Sequence, residues 1–156
     1  MHKHPTIAED LHILRERLVE KIPGHFGMRH IISAFFGALF FGFSFMLNGL
    51  LFQVGLALQP WNLIVITISS LTLISAEIYY VGYTRVPEPH KRPFGQFWLK
   101  RITTYYLISL FVSFLLLSTY GITLMVGTPS NVLKLLIAIS FPAGVGAAAA
   151  DLLGKY

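Results

Sequence analysis

Four long runs with almost no charge constrain this chain more than any other feature. Residues 30 to 58 (HIISAFFGALFFGFSFMLNGLLFQVGLAL), 62 to 83 (NLIVITISSLTLISAEIYYVGY), 102 to 127 (ITTYYLISLFVSFLLLSTYGITLMVG) and 132 to 153 (VLKLLIAISFPAGVGAAAADLL) all qualify as spans. Each exceeds the roughly 20 residues needed to cross a hydrocarbon core of about 30 Å. They predict an all-α polytopic membrane protein with four transmembrane helices in two hairpins. Composition agrees, with 54% hydrophobic and 12% charged residues, where a soluble domain is nearer a quarter charged. The first run is the longest, so as one helix it either tilts or protrudes past the core.

The basic residues predict an orientation. Lys3, Arg15, Arg17, Lys21 and Arg29 precede the first span, and Arg85, Lys91, Arg92, Lys100 and Arg101 lie between the second and third. The connections LQPWN and GTPSN carry no Lys or Arg. The positive-inside rule then puts both termini and the middle loop in the cytoplasm, most simply at the plasma membrane of a prokaryote. Lys134 lies near the outer end of the fourth span, where its stem can snorkel. The first 29 residues lack the apolar core and small-residue cleavage site of a signal peptide, so the N-terminus is expected to be retained.

Two domains are expected, residues 1–29 as a cytoplasmic amphipathic helix with a linker and residues 30–156 as the four-helix membrane domain. In TIAEDLHILRERLVEKIP, Thr6 and Glu9 stand at capping-box spacing, and Ile7, Leu11, Leu14, Leu18 and Ile22 form one apolar stripe before Pro23 and Gly24. Its mixed-charge polar face suits a partner helix or the headgroup surface. The middle loop, broken by Pro87, Pro89 and Pro93, sets Phe94, Phe97 and Trp98 among bases. That is interfacial anchoring and not nucleic-acid recognition. Pro60 and Pro129 each stand two residues before an asparagine, and a shift of 69 residues brings the first pair of runs onto the second. This is a weak sign of a parallel tandem repeat.

Glu77 is the conspicuous charge. It lies eight residues before Arg85, about 12 Å inward along a helix, too deep for a short carboxylate to reach the interface easily. It shares one stripe with Ser70 and Thr84, while Thr72, Ser75 and Tyr79 mark the opposite side, and the helical wheel does not choose between them. Such a carboxylate attracts a cation, carries a proton, or hydrogen-bonds between helices as a neutral acid. Asp151 falls at the same end of the membrane, either as a second carboxylate of a cation site or simply ending a helix in water. His30, Ser33, Thr103, Thr104, Tyr105 and Tyr106 reach comparable levels, and the six histidines all fall on the predicted inner side, most simply as solvated loop residues. Whether these groups hold a metal is left open. Asn48 is a candidate outer constriction.

The fourth run carries the packing signal. Pro142 removes a backbone donor, and Gly144, Gly146 and the alanines 147 to 150 give small-xxx-small faces suited to close helix contact or to gating. FPAGVGAAAADLLG and AEIYY, in a four-helix layout, resemble a family of small integral membrane proteins of archaea and bacteria, a domain of unknown function. The resemblance implies the fold and carries no activity or site residue with it.

Cysteine is absent, and there is no phosphate-binding glycine loop, HExxH or GxSxG. No enzyme activity and no cofactor are expected. Two readings remain. One is an oligomeric channel or transporter moving a small cation, with Glu77, Asp151, Asn48 and Ser70 on its pathway. The other is a non-conducting scaffold or regulatory subunit acting through the N-terminal helix. The expected partners are the lipid bilayer, a small cation and further copies of the chain.

Overall fold

The computed structural model describes residues 27–83 and 94–153, with the side chains of residues 94, 96 and 97 excepted. The amphipathic segment, most of the middle loop and the histidines at 2, 4, 12, 25 and 90 lie outside the described residues. The described chain is helical: α1 (Met28–Met46), α2 (Gly49–Ala57), α3 (Pro60–Glu77) continuing as a π-helical turn (Ile78–Gly82), α4 (Phe94–Thr119), α5 (Ile122–Val126) and α6 (Pro129–Leu153). Four stretches are long and apolar enough to span a membrane: Met28–Met46, Pro60–Gly82, Trp98–Thr119 and Pro129–Leu153. The turn end of the bundle carries the two short connections, and the terminal end lies opposite.

The first apolar run is not one helix. It breaks after Met46, where Asn48 adopts an extended backbone and its side chain accepts from Leu50 N at 3.0 Å, capping α2. A polar side chain that offers the backbone a local partner ends one helix and starts the next. The surplus length is thus folded into α2, which lies against α6, with Gly55 meeting Leu135 and Ala138. Lys134 does not simply snorkel, since its Nζ donates to the carbonyl of Leu56 at 3.2 Å. A cation there also suits the C-terminal end of α2. The third run ends early in the same way: α4 stops at Thr119, and Gly121 and Gly127 flank α5 with φ of 69° and 71°. Both are in the left-handed region that glycine enters without strain. Replacing Asn48 with alanine is expected to cost about 1 kcal/mol, read as a shift in detergent unfolding.

Each half therefore runs long helix, break, short helix and a long helix opened by proline, Pro60 and Pro129 taking the first helical position. The packing does not repeat with it. Helix α6 packs on α1, α3 and α4, whereas α1 and α3 have no substantial mutual contact. The second pair of spans forms a packed hairpin, but the first pair, expected as a hairpin, is held apart by α6.

Small residues explain the central place of α6. Gly37 of α1 sits against the Gly146 carbonyl and Ala150, and a Cβ on Gly146 would lie 2.6 Å from Gly37 O and 2.7 Å from Phe41 Cβ. Ser33 Oγ donates to Ala150 O at 2.9 Å. Close backbone approach of this kind replaces the hydrophobic drive that lipid removes. Pro142, Gly144 and Gly146 are all buried, and α6 continues through Pro142. On the other side, Ile74 and Ile78 pack with Tyr105, Ala143, Ala147 and Leu152 into the main core.

Candidate functional site

Two polar features lie inside this bundle. The first is centred on Asp151, which is buried near the terminal end of α6. His30 Nδ1 of α1 donates to its Oδ1 at 2.6 Å. Arg101 Nη1 of α4 donates to Oδ2 at 3.3 Å and to the Tyr105 hydroxyl at 3.0 Å, and that hydroxyl donates in turn to Asp151 Oδ2. Arg101 and Tyr105 meet the same carboxylate because they stand four apart on one helix face. Arg101 is 3% exposed, Asp151 3% and Tyr105 not at all. The cluster thus holds a desolvated ion pair completed by three hydrogen bonds, and it ties α1, α4 and α6 together.

The second feature is a seam of small polar groups between α3, α4 and α6. Ser70, Ile74 and Ile78 are buried on one stripe of α3, and Glu77 lies on that stripe. Thr72 and Tyr79, on the other side, are exposed, and Ser75 accepts from Trp98 Nε1 at 2.9 Å. The face left open by the helical wheel is therefore the Ser70–Glu77 face. Ser70 Oγ and Glu77 Oε2 are both buried and have no hydrogen-bond partner. Ser109 and Ser113 of α4 and Ser140 of α6 are also buried and donate to carbonyls of their own helices. The hydroxyls of Ser70 and Ser109 converge on the bare Cα of Gly144, where a Cβ would lie 3.3 and 3.5 Å from them. Among the described residues no three His, Asp or Glu side chains gather as a metal site.

Of the expected pathway residues, Glu77 and Ser70 share the seam. Asp151 does not end its helix in water, and its oxygens are engaged by donors from α1 and α4. Asn48 lies at the opposite end, exposed, as a helix cap. His30 is bonded rather than solvated. Of the hydroxyls expected at this level, Tyr105 joins the cluster, Thr104 bonds back to Lys100 O at 2.8 Å, and Thr103 is exposed.

Arg101 is the residue that sequence reasoning missed. Its sequence position groups it with the bases flanking the membrane, yet it is the buried partner of Asp151. Its available signal was Tyr105 one turn further along an inward stripe that continues through Ser109, Val112 and Leu116.

No curated protein and no solved structure matches the chain. A family model, that of the DUF2391 integral membrane proteins, matches residues 16–153. The match covers every described span and brings no activity with it. On that match and on its four membrane-length helices, the chain belongs to the DUF2391 family of integral membrane proteins.

Proposed function

We propose that the protein moves a small cation across the membrane along the seam between α3, α4 and α6, with Glu77 as its working carboxylate. The observation that carries this reading is the pair of buried, unpartnered oxygens, Glu77 Oε2 and Ser70 Oγ, on one stripe of α3, with the Ser109 hydroxyl near Ser70 at Gly144. An unsatisfied buried polar group costs about 1–3 kcal/mol. Intramembrane ionisable groups are kept at that cost mostly where ions or protons pass. The π-helical turn that begins directly after Glu77 supports the same assignment, since such turns concentrate at functional sites.

The seam runs inside one bundle, so the ring of subunits expected from the sequence is not needed to form it. The positive-inside rule supports a cytoplasmic terminal end, which would put Glu77 in the inner half of the path.

Flux into vesicles reconstituted with the full chain tests this, with K⁺, Na⁺, Ca²⁺ and H⁺ offered in turn. Wild type is expected to move one of them, and a folded Glu77→Gln variant to fall to the level of empty vesicles. Equal flux in both would remove Glu77 from the path. No flux in wild type would favour the scaffold reading, in which the N-terminal helix of residues 1–29 binds a partner.

A further inference from the structure

We propose that the cation handled at Glu77 is the proton, bound on the carboxyl group itself. This rests on the transport reading and narrows it to one substrate. Three features of the site point the same way.

The first is the supply of ligands. A hard divalent cation takes six or more oxygens. The nearest candidate for a second carboxylate at this end of the bundle, Asp151, already accepts from His30, Arg101 and Tyr105. The Arg101 guanidinium bound to it would also repel a metal ion. A proton asks for much less, since one carboxylate oxygen holds it, and Glu77 Oε2 has no competing donor.

The second is space. At Gly144 the helices approach so closely that an added Cβ would lie 2.9 Å from Ile74 Cδ1 and 3.3 Å from Ser70 Oγ. At the level of Ser70 the seam therefore takes no ion with its ligand shell unless the Ile74 side chain shifts. A proton passes between hydroxyls with no such room, because each oxygen accepts one and releases another. A groove of about 590 Å³ lies elsewhere, between α1 and α4, lined by Phe36, Phe40, Phe43 and Leu116 with only Thr119 and Tyr120 bearing hydroxyls. Its lining offers no cation a coordination shell.

The third is the order of groups along α3. Ser70 stands seven residues from Glu77, about 10 Å along the helix, and Ile74, fully buried, stands between them. A proton on Glu77 therefore does not run freely to Ser70. A proton passes onward only when water or a helix movement bridges Ile74, which is the behaviour of a carrier rather than an open pore.

Two readouts on the full chain in vesicles test the proposal: the infrared band of a protonated carboxyl group, and flux. Wild type is expected to show a carboxyl band that Glu77→Gln removes and Glu77→Asp shifts, together with H⁺ flux that Glu77→Gln abolishes. Na⁺, K⁺ or Ca²⁺ flux that needs Glu77, without H⁺ movement, would overturn the proton assignment and leave the transport reading standing. If wild type moves no ion, the transport reading fails, and the band alone decides whether Glu77 binds a proton. Its absence at all accessible pH values overturns the proposal. Should Glu77→Gln not fold, the shift in Glu77→Asp identifies the band.

Discussion

Alanine at position 151 is expected to destabilise the bundle by about 3–5 kcal/mol, because it leaves the Arg101 charge buried without its counter-ion. Arg101 is almost fully enclosed in the folded chain, and the Tyr105 hydroxyl would lose its acceptor at the same time. The measurement is unfolding in detergent, followed by helix content or by exposure of a buried reporter. The control is a double substitution, Asp151→Leu with Arg101→Met, which removes both charges and keeps the volume. That variant should recover most of the lost stability, since buried ion pairs are often replaceable by apolar groups of similar size. If Asp151→Ala alone is silent, the carboxylate is not holding a desolvated charge and the cluster is not the clasp described above.

Valine at position 37 is the second large effect. The Cα of Gly37 faces the Gly146 carbonyl and the Ala150 methyl with no room for a Cβ. A branched side chain must push α1 off α6 and strain the Ser33 to Ala150 hydrogen bond beside it. Overpacking typically costs about 1–3 kcal/mol. Here the displaced element is a whole helix, so the upper part of that range is expected in the same unfolding assay. Valine at position 49, where no atom lies near the Cβ position, is the matched control and should change little.

The spans were legible because hydropathy over 20 residues is a direct consequence of bilayer thickness. The breaks inside them were not. Asn48-Gly49 and Tyr120-Gly121 sit inside uncharged runs, so run length alone hides a cap or a left-handed glycine. The closeness of α6 to its neighbours was foreshadowed by Gly144, Gly146 and the alanines, but which helices would use those faces depended on packing between distant segments. The same holds for the sites. Glu77 stood out by its charge, yet the face it shares with Ser70 was fixed only by the burial of Ile74 and Ile78. Arg101 looked like any base beside a membrane, and nothing local showed that a carboxylate 50 residues later would meet it.

The central position of α6 bears on how the protein is made. Synthesis runs from the amino end, so the spans built on α1, α3 and α4 enter the bilayer before the helix on which all three pack. Until α6 arrives, α1 and α3 have no substantial surface in common, and Arg101 must wait at the membrane boundary for Asp151. The four-helix packing is therefore completed only when α6 inserts. A ribosome stalled before residue 129 would hold α1 and α4 able to pair but α3 without the surface on which it mainly packs, a target for the membrane's quality-control proteases.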